Sequence, residues 1–184
     1  VQSFGGEVVM TGRHPSGSDR IAEAVESSFP DADLIVNIQG DEPDVSPAHL
    51  NQLVEEMQSG CEMATLATRA QSLEELSDSA RVKVVTDRNG RALYFSRSTI
   101  PWPGTVPPHK NALSNWLIHR GLYGYRCDFL LEYAGLSGGT LEEVESLEQL
   151  RALEHGATIQ VAVVEGEICT IATPVDYRQF GLHA

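Results

Sequence analysis

The sequence is short of positive charge, of cysteine and of long apolar runs, and each shortage removes a class of protein. Its 13 Lys and Arg stand against 26 Asp and Glu, a net charge of −13. That balance opposes nonspecific binding to nucleic acid or to an anionic membrane, because both need a cationic surface. No apolar stretch approaches the roughly 18 residues that a bilayer span requires. The opening Val1-Gln2-Ser3-Phe4-Gly5-Gly6 has neither the charged nor the apolar region of a signal peptide. Cys61, Cys127 and Cys169 are far apart, odd in number and without Cys-x-x-Cys spacing. They predict neither a disulfide framework nor a zinc site, and they fit a reducing compartment, the cytoplasm. What is present is a hydrophobic content of 41% in 184 residues, enough for one domain that buries roughly 70% of its unfolded surface.

No repeat or low-complexity segment occurs. Short apolar runs alternate with helical patterns, which predicts a mostly parallel α/β sheet flanked by helices. Ser18 reads as an N-cap with Ile21, Ala22 and Val25 behind it at helical spacing. Leu34 to Ile38 is apolar enough for a strand buried on both faces. Ser46-Pro47 starts a helix with the stripe Leu50, Leu53, Val54 and Met57, stopped at Gly60. Met63 to Thr68 reads as a strand, and Arg81 to Thr86 and Arg91 to Ser96 flank the turn Asp87-Arg88-Asn89-Gly90 as a hairpin. Pro101 to Asn111 is loop, and Leu117 to Arg126 is strand. Thr140 and Glu143 form a capping box for a helix running to about His155, closed by Gly156. Thr158 to Val164 is a last strand, and Pro174 opens a short terminal helix.

Ligands of open α/β sheets bind beyond the carboxyl ends of strands. Gln39-Gly40-Asp41-Glu42-Pro43 stands in that position. Asp41 offers a hard oxygen to Mg²⁺, or the segment is a turn whose acids are solvated or cap the next helix. His14 to Arg20 is a small-residue loop entering a helix, either an anion site at a helix N-terminus or an ordinary Ser-capped start. Arg97, beside Tyr94 and Phe95, is a planar fork suited to a carboxylate or phosphate. Strand alternation puts His119, Gly121, Tyr123 and Tyr125 on one face, and glycines inside a strand signal close approach by a backbone or ligand. Glu148 falls on the apolar side of its helix. It needs a partner there, either Arg151 or a substrate hydroxyl.

These segments, H-P-S-G-S-D-R (14–20), V-N-I-Q-G-D-E-P (36–43), A-L-Y-F-S-R-S-T-I-P-W (92–102), H-R-G-L-Y-G-Y (119–125) and S-L-E-Q-L-R (146–151), occur in one order. In that order the chain closely resembles the 3-deoxy-manno-octulosonate cytidylyltransferases, or CMP-Kdo synthetases. The resemblance spans Gly5 to about Asp176. It implies a nucleotide-diphospho-sugar transferase-like fold, a Mg²⁺ cofactor, CTP and Kdo as substrates, a homodimer with a contact around residues 94–125, and a role in lipopolysaccharide precursor synthesis. In the implied reaction the anomeric hydroxyl of Kdo attacks the α-phosphate of CTP and pyrophosphate leaves. Asp41 is implied as the metal ligand, Ser16, Gly17, Arg20 and Gln39 as nucleotide neighbours, and Arg97, His119, Tyr123, Glu148 and Gln149 as the lining of the Kdo pocket.

The sequence departs from the family pattern at two places. The family's opening strand and basic phosphate loop, about 70 residues or roughly two βα units, have no counterpart before Gly5. The expectation is therefore a single domain, residues 1–184, lacking its phosphate-loop segment and by itself inactive on CTP. Ala172 also stands just before Thr173-Pro174, where the family has a metal-binding Asp. A sugar-acid-binding or dimerising relative without catalysis is the alternative reading.

Overall fold

The computed structural model describes residues 3, 5–43, 45–104, 110–166, 171, 177–178 and 181. The terminal helix at Pro174, and Ala172 itself, lie outside the described residues. Six strands make one sheet: β1 (Leu34–Asn37), β2 (Met63–Arg69), β3 (Lys83–Thr86), β4 (Ala92–Ser96), β5 (Leu117–Arg126) and β6 (Ile159–Val163). Around them pack α1 (Gly17–Ser28), α2 (Pro47–Gln58), α3 (Leu73–Ser77), α4 (Cys127–Ala134), α5 (Thr140–Glu145) and α6 (Gln149–Glu154), and a 3-10 helix covers Lys110–Asn115. The strand order is β4-β3-β5-β2-β6, with β1 also on β5.

The α/β class and the flanking helices hold, but the sheet is mixed rather than mostly parallel. β5 runs antiparallel to β1, β2 and β3, and β4 antiparallel to β3; among the described residues only the β2–β6 ladder is parallel. Thus β1, β2, β3 and β6 do share one direction, as alternating helices and strands require. The reversed β5 sits among them, so the neighbouring pairs become antiparallel.

The two faces of the sheet carry separate cores. Leu53 and Met57 of α2 pack on Ala64, Leu66, Leu122 and Ala162. On the other face α1, α4 and α6 cover Met63, Ala67, Phe95, Tyr123, Tyr125 and Ile159. α2 approaches so closely that a Cβ on Gly124 would stand 2.8 Å from Met57 Cγ. That strand glycine is therefore a packing requirement. β1 is only half-buried except at Asn37, although Leu34 and Val36 meet one core and Ile35 the other. Its fully buried status is corrected: β5 pairs with one of its edges, and no described strand covers the second.

Local chemistry sets the helix ends. The N-cap of α1 is Ser16, whose Oγ accepts from the Asp19 amide at 3.2 Å. The expected cap, Ser18, lies inside the helix, 2% exposed, with its hydroxyl 3.3 Å from Tyr125 Oη. Ser46 caps α2 as expected, and Gly60 beyond its end has φ +92°. The single helix expected from Thr140 to His155 is broken. Ser146 adopts φ 53°, which ends α5, and α6 begins at Gln149. The capping box also shifts by one residue: Glu142 reaches back to the Gly139 amide at 3.4 Å. Glu154 of α6 accepts from the Leu141 and Glu142 amides at 2.9 and 3.3 Å, so the second helix caps the first. α3 and α4 have no counterpart in the sequence reading, because α3 is short and α4 follows β5 directly with no side-chain cap.

Candidate active site

One edge of β5 is shared, end to end, by two strands. β3 pairs with Leu117 and Ile118, and β1 with Tyr123 to Arg126, while β2 follows the other edge. Between the carboxyl end of β1 and the approach to β3 the edge stands open. A cleft of about 430 Å³ lies there, a size that suits a small ligand. The turn after β1 supplies Gln39, Asp41 and Glu42, the approach to β3 Asp78 and Arg81, β5 His119 and Tyr123, and the α5–α6 break Glu148 and Gln149.

The floor is shaped by a bulge. The β2–β5 register passes from Thr65 opposite Tyr123 to Leu66 opposite Arg120, so Gly121 and Leu122 are extra. Thr65 Oγ1 lies 2.8 Å from Leu122 O and 2.9 Å from His119 Nε2. A hydroxyl has one proton; donated to Leu122 O, it leaves a lone pair to accept from His119 Nε2–H. His119 packs edge-on against Phe95 at 5.0 Å and tilts against Tyr123 at 5.5 Å. Burial, and then the adjacent Arg120 charge, lower its pKa to about 3, so it is a neutral imidazole. Tyr123 is pushed well above its ordinary pKa, first by burial, and keeps its phenol proton. Tyr125 and Tyr133 stack onward from Tyr123, so the predicted shared face exists as an aromatic ladder.

Arg97 fixes the far wall. Its Nε donates to Glu145 O at 2.9 Å, Nη1 to Ser79 O at 3.1 Å and Nη2 to Ser146 O at 3.2 Å. Glu145 returns the grip by accepting from Ser96 Oγ at 2.7 Å and the Arg97 amide at 3.0 Å. Burial works against this carboxylate's charge, but the hydrogen bonds from Ser96 and Arg97 outweigh it and hold its pKa below the ordinary value. The fork expected to take an anion is thus largely occupied by carbonyls, and it secures the helix break. Beneath it, fully buried Lys83 donates to Asp78 O, Arg81 O and Arg97 O at 2.9, 2.5 and 2.6 Å.

The break gives Glu148 a setting the helical reading missed. It is not on the apolar side of a continuous helix, and Arg151 is not its partner. Arg151 makes a bidentate pair with Glu142 at 2.8 and 2.7 Å and stands 3.9 Å from Asp19. Glu148 Oε1 and Gln149 Nε2 are buried with no hydrogen-bond partner among the described residues. An acceptor and a donor therefore stand side by side in the cleft wall, unsatisfied until a ligand or water arrives.

Asp41 lies exposed at the mouth. Among the described residues no three His, Cys, Asp or Glu side chains form a metal cage. Mg²⁺ commonly needs no such cage, being held by one or two carboxylates together with substrate phosphates. The Asp41 carboxylate fits that arrangement. Ser16, Gly17 and Arg20 do not line the cleft: Ser16 Oγ donates to Asp19 Oδ2 at 2.7 Å and Arg20 Nη1 to Thr11 Oγ1 at 3.0 Å. α1 sits beside the cleft through the Ser18–Tyr125 contact, one step along the aromatic ladder. Sequence reasoning missed Arg81 and the buried Lys83, and it named Glu42 within the Gln39–Pro43 segment without giving it a role. Of the two missed residues only Lys83 left a signal, a charge inside the apolar run Val82-Lys83-Val84-Val85.

A cytidylyltransferase family model matches residues 1–159. The 3-deoxy-manno-octulosonate cytidylyltransferase of Anaeromyxobacter sp. (strain Fw109-5) is 46% identical over 177 residues, 95% of this chain and 70% of that protein. The protein of the same name from Thermodesulfovibrio yellowstonii is 42% identical, over 96% of this chain and 72% of its own. A solved CMP:2-keto-3-deoxy-manno-octonic acid synthetase complexed with CTP superposes with a TM-score of 0.89 at 36% identity, covering 100% of this chain and 74% of that one. A 4-diphosphocytidyl-2C-methyl-D-erythritol synthase from Anaerococcus prevotii, at 11% identity and a TM-score of 0.56, shares the fold. With sequence and structure in agreement over nearly its whole length, this chain belongs to the cytidylyltransferase family and, within it, to the 3-deoxy-manno-octulosonate cytidylyltransferases.

Proposed function

We propose that this chain supplies the sugar-acid cleft of an enzyme that joins CTP and Kdo to give CMP-Kdo and diphosphate, an activation step of lipopolysaccharide precursor synthesis. The observation that carries the sugar side is the buried, unsatisfied pair Glu148 Oε1 and Gln149 Nε2 in the cleft. A polyhydroxylated substrate supplies both the hydroxyl donor and the acceptor that this pair lacks. Neutral His119 and the protonated Tyr123 phenol add polar groups without charge. The CTP-bound neighbour supports the nucleotide side. Gln39 and Asp41, after β1, border the same cleft, with Ser16, Gly17 and Arg20 beside it.

Catalysis on this scaffold is positioning: the Arg97–Glu145 clamp and the bulged β5 hold the sugar's hydroxyls in line for attack on phosphorus. Asp41 would hold Mg²⁺, which when bound supplies charge screening of the phosphates. The odd number and wide spacing of the cysteines support a cytoplasmic setting. The family resemblance supports a homodimer, and Trp102, 75% exposed within residues 94–125, offers its contact an apolar anchor. Light scattering should return twice the 20.0 kDa chain mass.

Calorimetric titration with Kdo tests the central claim. Heat with the native chain, and binding weakened about 10- to 100-fold in Glu148→Gln, is the expected result. No Kdo-dependent heat from the native chain would overturn it.

A further inference from the structure

The cleft is walled by carboxylates at Asp41, Glu42, Asp78 and Glu148, which by themselves repel an anionic substrate. Three arginines stand against them, and they differ in what their guanidinium groups already hold. Arg97 donates through all three nitrogens to the carbonyls of Glu145, Ser79 and Ser146. Buried Arg120 donates to Thr68 Oγ1 at 3.0 and 2.7 Å and pairs with Glu75 at 3.5 Å. The half-buried Arg81 lines the same cleft and makes no hydrogen bond or ion pair through its side chain with any described residue.

Its backbone, by contrast, is fixed. Lys83 draws Arg81 O and Arg97 O onto one ammonium, at 2.5 and 2.6 Å. Arg97, through Nη1 to Ser79 O and Nη2 to Ser146 O, ties the residue two before Arg81 to the α5–α6 break that carries Glu148. Arg81 therefore stands on the side of the cleft assigned to the sugar, on an anchored segment, with its five N–H donors unpaired among the described residues. A planar fork with free donors pairs bidentately with a carboxylate.

We propose that Arg81 binds the carboxylate of the sugar acid and makes the cleft selective for an acid over a neutral sugar. The proposal rests on the assignment of this cleft to Kdo. The other anion within reach of such a site is a nucleotide phosphate, so the test must separate the two.

The experiment titrates the native chain, Arg81→Gln and Arg81→Lys with Kdo, with Kdo methyl ester and with CTP in the presence of Mg²⁺. Because the side chain has no described internal partner, Arg81→Gln should keep the native melting temperature, which circular dichroism checks. The native chain should prefer Kdo to its ester by about 10- to 100-fold. In Arg81→Gln that preference should vanish, with affinity for the ester and for CTP unchanged; Arg81→Lys should recover part of it. A native preference that survives in Arg81→Gln would overturn the proposal, as would a loss confined to CTP, which would assign Arg81 to a phosphate. If the native chain bound neither Kdo nor its ester, the failure would belong to the assignment of the cleft.

Discussion

His119 ties an ionisable group of the cleft to the stability of the chain. Its folded-state pKa, near 3, lies below the ordinary 6.5, so between those values the unfolded chain binds a proton that the folded one refuses. Stability is accordingly full above pH 6.5 and falls as pH drops toward 3, by up to about 1.4 kcal/mol per pH unit from this group. The sequence holds five other histidines, so between pH 7 and 5.5 the comparison with His119→Gln is what isolates the effect. Urea unfolding of the native chain at these two pH values should give a lower midpoint at 5.5, and His119→Gln should reduce the difference. An unchanged difference would mean that the ring does not titrate as its burial dictates. Much of this was legible in the sequence: His119, Tyr123 and Tyr125 shared a face by alternation, and they do. Arg81 was not legible, because nothing in sequence marks an arginine whose donors stay open while Arg97 and Arg120 are engaged. Glu148 was placed in the cleft for the wrong local reason, since a helical wheel carries no information about a left-handed Ser146.

The helices and strands were read from caps and periodicity, and the errors fall where tertiary contacts overrode local pattern. Residues 140–154 have the apolar spacing of one helix, yet the Arg97 clamp captures the carbonyls of Glu145 and Ser146 and divides it. The α2–β5 contact is decided equally by a neighbour. Gly124→Ala would place its methyl group 2.8 Å from Met57 Cγ and 3.3 Å from Leu53 Cγ, and should destabilise the chain by about 1–3 kcal/mol. Met57→Ala should cost less in the Gly124→Ala background than in the native chain, because the clash disappears with the removed side chain. Denaturant midpoints of the two single variants and the double variant measure the coupling; strict additivity would contradict the packing described here.

Alternating elements pointed to an α/β sheet with helices on its faces, and that is the fold. Strand direction escaped the sequence reading because β5 inserts between β1 or β3 on one edge and β2 on the other, a choice made by residues distant along the chain. Both apolar cores use side chains of β2 and β5, so neither face can loosen alone. Unfolding followed by far-ultraviolet circular dichroism and by the fluorescence of Trp116, 7% exposed beside Ile118, should give coincident transitions. Separated transitions would show that the faces are independent.

The open stretch of the β5 edge has a kinetic meaning as well. The strands that frame it, at residues 34–37 and 83–86, must each find β5, at residues 117–126, before any cleft exists between them. Such distant pairings are formed late and slowly compared with local helices. A nascent or partly unfolded chain therefore holds no half-made pocket. A sugar acid that bridges the two framing segments acts on the finished sheet alone, and should slow its opening more than it speeds its assembly.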